Sequence, residues 1–215
     1  MKPKYLFIYF LITINPLGCT PKVSQLLEIP NQDQIQYEST IRAYREKSEK
    51  DFILYNSDKP AFSANSFLEK LDYFPVNVSY KCECQLVLDA QKQLVEMTTY
   101  AGTTKLYNKF GVANCKLQNT EIKLTLYKQV GGLPIYQNLL FLPIKDMTSG
   151  AETYGGGRYL NLDLNEISNN KIIIDFNRAY NPWCAYSGGF TCPIPPLENN
   201  IMMEINAGEK DYAKH

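Results

Sequence analysis

Histidine is almost missing from this chain of 215 residues: the one copy is His215, the last residue. Chain ends are usually mobile, so the side chain that most often serves as a base or a metal ligand is absent from the interior. A Cys-His catalytic pair is thereby excluded inside the fold, and a zinc centre would have to draw on cysteines and carboxylates alone. An excess charge of either sign is missing as well, with 22 basic and 22 acidic residues and a formal net charge of zero. Without a basic stripe, nucleic acid is not an expected partner. No apolar run is long enough to span a bilayer; the stretch at residues 5–14, "YLFIYFLITI", has 10 residues against about 20 for a membrane core of ~30 Å. Nucleotide signatures are absent too: no Gly-Lys-Ser/Thr follows the one glycine cluster, which is not GxGxxG either. Neither internal repeats nor low-complexity blocks interrupt the chain.

What is present starts at the N-terminus. Lys2 and Lys4 precede the apolar stretch and Gly18-Cys19 follows it, the order of a secretory leader. "NPLGCT" is similar to the lipobox of bacterial lipoproteins, in which the cysteine becomes the first residue and carries lipid; Pro16 stands where that motif has Leu. Residues 1–18 read as a signal peptide of lipoprotein type, Cys19 as the lipidation site, and residues 19–32, polar and proline-containing, as a tether. Loss of residues 1–18 removes two lysines and no acid, leaving a mature chain of net charge −2. The expected location is the cell envelope, lipid-anchored to a bacterial membrane on its periplasmic or outer face, with the membrane as a partner through the anchor. Export into an oxidising compartment permits disulfides. Five cysteines follow Cys19, an odd number, so at least one is unpaired within a single chain.

Residues 33–215 read as one globular domain. From Gln34 to Tyr55 the spacing of Tyr37, Ile41, Tyr44, Phe52 and Tyr55 predicts an amphipathic helix, with Arg45 to Lys50 on its wet face and Asn31 or Asp33 as cap. The remainder alternates as strands. In "VSYKCECQLVLD" Val78, Tyr80, Cys82, Cys84, Leu86 and Leu88 share one face, and neighbours on one strand rarely bridge, so Cys82 and Cys84 read as core thiols. "LVEMTT", "IKLTLY", "LLFLPI", "LNLDL", "KIIIDF" and "IMMEI" (201–205) are further strand candidates. The expected fold is mainly β, an antiparallel sandwich or small barrel with one N-terminal amphipathic helix.

Two blocks carry unusual residues. In "DMTSGAETYGGGRYL" (146–160), Gly155, Gly156 and Gly157 free the backbone for positive φ. Their N–H groups suit an anion-binding nest that Arg158 would complete, or they form a tight hairpin with a surface arginine. In "DFNRAYNPWCAYSGGFTCPIPP" (175–196), Asp175 ends a β-branched run, Asn177 and Asn181 follow, and Gly188-Gly189 suits a reversal that brings Cys184 to Cys192. That pair has four readings: a disulfide, part of a zinc site, a nucleophilic cysteine, or plain thiols. Downstream, Glu198, Asn199, Glu209 and Lys210 flank the last strand; solvated loops are their default.

These blocks, with "INAGEKDY", resemble a bacterial and archaeal family catalogued as domain of unknown function 1684; "EKDFIL" and "LEKLDYFPVNVSY" resemble its N-terminal part. The resemblance covers about residues 42–212. It implies a single domain and supplies no activity. Trp183 stands where the family pattern has Tyr, and "FLPI" where it ends on an aromatic. It also implies a shared site, in which Tyr154, Gly155, Gly156, Gly157, Arg158, Asn177, Tyr180, Asn181, Glu198 and Asn199 contact a small polar or anionic ligand. The enzymatic alternative, a hydrolase or redox protein, takes its candidates from Asp175, Cys184, Glu209 and Lys210; a structural envelope role is the third. No metal site and no cofactor are specified. Produced with its own leader in a bacterial host, the chain is expected to be cleaved before Cys19, to exceed its polypeptide mass by a lipid group and to sediment with membranes. Cys19→Ser should move it to the soluble fraction; an uncleaved, unmodified wild-type chain in the intact-mass spectrum would refute the assignment.

Overall fold

The computed structural model describes residues 31–56 and 70–212; the leader, Cys19, residues 19–30 of the tether and His215 lie outside them. Helix α1 spans Gln32–Asn56. Asn31, rather than Asp33, caps it, its Oδ1 accepting from the Gln34 N–H at 2.7 Å, as short polar side chains do at this position. Ile41 and Phe52 are its buried apolar residues. The face around them is polar. The Tyr37 hydroxyl donates to Asp175 at 2.9 Å and that of Tyr44 to the Arg178 carbonyl at 3.3 Å. Arg45, expected on the wet face, is turned inward: it donates to the carbonyls of Phe74 and Asn177 and lies over the Tyr73 ring. Those carbonyls have left the sheet ladders, and a forked donor on the covering helix satisfies them.

The strands are β1 Lys81–Leu88, β2 Leu94–Thr98, β3 Thr104–Leu117, β4 Thr120–Gln129, β5 Leu139–Asp146, β6 Arg158–Asp163, β7 Lys171–Asp175 and β8 Asn200–Ile201. They form one sheet in the order β6-β5-β4-β3-β1-β7, with β2 on β3 and β8 on β5. Every pairing is antiparallel except β8 with β5. The domain is therefore mainly β, an antiparallel half-barrel with a single N-terminal helix. The longest strand, β3, escapes the sequence pattern because a bulge between Lys109 and Gly111 resets its alternation. Gly111 is required there: a Cβ would come within 2.5 Å of the Val87 carbonyl oxygen. Conversely, the strand expected over 201–205 stops after Ile201, where Met202 is 84% exposed.

Register decides the cysteines. β1 sets Cys84 opposite Cys115 on β3, and the two are disulfide-bonded with Cα atoms 4.3 Å apart, the close spacing of a non-hydrogen-bonded antiparallel pair. The core-thiol reading is thus corrected for Cys84 and holds for Cys82, which is free and buried. Burial, aided by Asp175, pushes the Cys82 thiol up to about 11.

Two polar side chains complete the sheet. β4 and β5 pair at a single position, Tyr127 with Phe141. Asn199 bridges the same two strands beyond it: Nδ2 donates to the Thr125 and Pro143 carbonyls at 2.9 and 2.8 Å, and Oδ1 accepts from the Thr125 N–H at 2.7 Å. Arg158, at the start of β6, is fully buried. Its Nη2 donates to Asp146 Oδ2 and the Ile205 carbonyl, both at 2.9 Å, and its Nη1 to the carbonyls of Ala207 and Glu209. One guanidinium thereby ties β5 and β6 to the C-terminal segment. Arg158→Ala strands the Asp146 carboxylate and three carbonyls, and should cost about 3–5 kcal/mol in urea unfolding. The double variant with Asp146→Ala should cost clearly less than the two single losses added together; strict additivity would show that the pair is not coupled.

Candidate functional site

The three segments singled out in the sequence meet. Arg158 reaches Ala207 and Glu209. Asn181 donates from its backbone N–H and from Nδ2 to the Glu209 carboxylate at 3.1 and 2.9 Å, and from Nδ2 to the Lys210 carbonyl. Gly208, at φ +78, sits so close that a Cβ would lie 2.7 Å from the carbonyl oxygens of both Phe176 and Ala179. What these polar groups mostly contact is one another.

This geometry corrects the anion site. The Nη donors of Arg158 face Asp146 and backbone carbonyls, because the loop ends they hold have no ladder partners. Of the three glycines only Gly157 has positive φ, and its N–H goes to the Tyr154 carbonyl, so no nest forms. Gly157 allows close approach instead, since a Cβ would meet the Ile144 carbonyl oxygen at 2.5 Å. Gly156 accepts from the Tyr100 hydroxyl, and Tyr154 packs edge-on to that ring; Gly155 is exposed.

The catalytic candidates are likewise engaged. Asp175 caps the turn after β7 and accepts from Tyr37 and from the N–H and Nδ2 of Asn177. Asn177 is fully buried and also grips Asn77 through its backbone N–H and carbonyl. Cys184 is bonded to Cys192, Cα atoms 6.2 Å apart, which selects the disulfide among the readings. Lys210 pairs with Asp72 at 3.2 Å. Glu198 is exposed and accepts from the Tyr127 hydroxyl at 2.6 Å, beside Asn199. Glu209 is 1% exposed. Loss of water pushes its carboxyl up to about 7, against the hydrogen bonds from Tyr186 and Asn181 and the charge of Arg158.

The open space lies one residue away. Alternation sends Leu140, Leu142, Leu160 and Leu162 into the aliphatic core and sends Phe141, Tyr159 and Asn161 to the opposite face. There, with Lys105 and Tyr107 of β3 and Gln129 of β4, they line a cleft of about 480 Å³. The loop after β7 forms its other wall through Tyr180, Pro182, Trp183, Phe190, Thr191, Cys192 and Pro193, and Tyr136 stands at its side. The rings interlock: Tyr107 stacks on Phe141 at 5.3 Å, Phe141 meets Tyr159 edge-on at 4.8 Å, and Tyr159 meets Tyr180 at 6.0 Å. Trp183 stacks on Phe190 at 5.7 Å, and the disulfide fixes the loop that carries both. Burial pushes the Tyr159 and Tyr180 phenols above their ordinary range and that of Tyr107 up to about 12, so all three stay neutral. Among the described residues, Lys105 is the one charged group in the lining. Of the ligand contacts read from the sequence, Tyr180 lines this cleft. Alternation sets Lys105 with Tyr107 and Tyr159 with Asn161 on one face of their strands, but no spacing joins those strands. A second groove, of about 730 Å³, runs between α1, β6 and β7.

A family model described as protein of unknown function (DUF1684) matches residues 66–210. Among solved structures, the chain is similar to an uncharacterised protein of Haloarcula marismortui determined by solution NMR. The two are 27% identical over 86% of this chain and 100% of that one, with a TM-score of 0.64. No curated protein matches the chain.

Glu209 makes stability depend on pH. Its carboxyl holds its proton more tightly when folded, with a pKa of about 7 against an ordinary 4.5. Its contribution is therefore complete below the ordinary value and is lost as the pH rises through the folded one. The wild-type melting temperature should fall across that window, and Glu209→Gln should flatten the fall and melt higher than wild type above it. Parallel melting curves for the two chains would exclude the effect.

Proposed function

The chain belongs to the family described as protein of unknown function (DUF1684), and from its aromatic cleft we propose that it is a small-molecule-binding domain. The ligand has a flat or ring-shaped face and a polar or anionic group, and the domain is held at the cell envelope by lipid on Cys19. One observation carries the reading: a cleft of about 480 Å³ walled by seven aromatic side chains and carrying a single charge, that of Lys105. A volume of this size with apolar walls and a few polar groups suits a small ligand. Rings offer stacking area, while Lys105, Gln129, Asn161 and Thr191 supply the groups that fix orientation. Asp175, Glu209 and Lys210 lie outside the lining, which favours binding over catalysis. Arg158 and the glycine turn serve the cleft by fixing Tyr159, the next residue along β6.

Trp183 is the one tryptophan of the chain and lines the cleft, so its fluorescence reports occupancy. A thermal-shift screen of ring-bearing carboxylates, phosphates and neutral analogues should give hits that raise the melting temperature and change Trp183 emission saturably. Lys105→Ala should weaken an anionic hit about tenfold, the value of a charge-assisted hydrogen bond, and leave its neutral analogue unchanged. Tyr136→Ala should weaken both. Hits indifferent to both substitutions would place binding elsewhere.

A further inference from the structure

Cys82, Cys84 and Cys115 lie on the aliphatic face of β1 and β3, away from the aromatic cleft. We propose that, once the Cys84–Cys115 disulfide is reduced, these three sulfurs form a site for one soft, thiophilic metal ion of the Cu(I) type. The three sulfur atoms lie within 4.8 Å of one another and all three residues are buried. Cys82 Sγ and Cys84 Sγ are 3.7 Å apart. A metal about 2.3 Å from each of three sulfurs in a plane needs them about 4 Å apart. Cys82 and Cys84 already stand at that spacing, and Cys115 reaches it when the covalent bond opens and the side chains turn. The β1–β3 register sets Cys84 opposite Cys115 and the β1–β7 register holds Cys82 opposite Ile174, so the set is held by backbone ladders rather than by a mobile loop.

The surroundings select the metal. The strand across from Cys82 and Cys84 offers Ile174 and Ile172, and Leu86 and Leu117 share the same core cluster. Among the described residues no histidine or carboxylate joins the group. Hard cations that require oxygen ligands are excluded, and zinc, which takes four ligands in a structural site, lacks the fourth. Soft sulfur ligands favour Cu(I), and three of them suit an ion that accepts low coordination. Cys82, at 9% exposed, is the least covered of the three and is the point of entry.

The chemistry balances with a dithiol as reductant. The dithiol gives two electrons and two protons to the Cys84–Cys115 bond and becomes a disulfide itself. Each sulfur that then coordinates as a thiolate releases one proton to solvent. The disulfide is therefore a gate: the oxidised chain lacks two of its three ligands, and the reduced chain has all of them.

The test uses the full chain with Cys19→Ser, reduced anaerobically with a phosphine, and Cu(I) titrated against a coloured Cu(I) chelator. One ion per folded chain should be withheld from the chelator, and none from the oxidised chain. Cys82→Ala should lower the affinity by more than about 100-fold, beyond the loss for a supporting neighbour of a metal ligand. Peptide mapping should show Cu(I) protecting Cys82, Cys84 and Cys115 from alkylation, but not Cys184 or Cys192. Cys115→Ala keeps Cys82 and Cys84 as thiols in a chain that needs no reduction at this site, and should bind Cu(I) more weakly. Failure of that variant to bind, or an affinity indifferent to Cys82→Ala, overturns the proposal.

Discussion

The buried guanidinium of Arg158 is the constraint on which the rest of this domain depends. A charge without solvent is costly unless its donors are occupied and a counter-charge is close. Asp146 supplies the charge, and the carbonyls of Ile205, Ala207 and Glu209 supply the other acceptors of Nη1 and Nη2, leaving only Nε without a partner. Those carbonyls belong to a segment with almost no ladder of its own, so the arginine replaces a strand as its source of order. Once residues 205–209 are held, Gly208 fits beneath the turn after β7, Glu209 meets Asn181, and the loop carrying Tyr180 and Trp183 acquires its position. The cleft is thus built from aromatic rings, while a polar lattice behind it decides where those rings stand.

The two faces of the sheet divide the work. Aliphatic side chains of alternate residues give the core its buried area, and the residues between them are aromatic and polar. A chain rich in tyrosine can do this because each ring presents apolar area together with a polar tip. Helix α1 joins the two systems: its N-terminal part holds Asp175 and Asn177 through Tyr37, and its end packs Phe52 and Tyr55 against Trp183 at 6.0 and 4.2 Å.

The helix, six of the eight strands and the predominance of β structure were legible in the sequence because they rest on local periodicity. β3 was not, because one bulge breaks its pattern, and with it went the partner of Cys84. The convergence of the "YGGGR", "DFNRAYN" and "AGEK" segments was legible too, since Gly, Asn and Asp in unusual density mark special backbone. Their roles were not. Arg158 and Arg45 look like surface cations in one dimension, and only the fold shows that unpaired carbonyls surround them. The cleft itself was hidden for a different reason: Lys105, Phe141 and Trp183 become neighbours only through sheet order, which no spacing along the chain records.

The single pairing between β4 and β5, bridged by Asn199, has a temporal consequence. The sheet is two panels joined at a seam, one made of β1 to β4 with β7 and the other of β5, β6 and β8. The stitch across that seam comes from Asn199, and the clamp acts on residues 205–209. A polypeptide emerging N-terminus first can assemble a hairpin such as β3–β4 early, but the stitch and the clamp form only once residues 199–209 are available. Closure therefore waits for residues 199–209, whichever strands have paired before them.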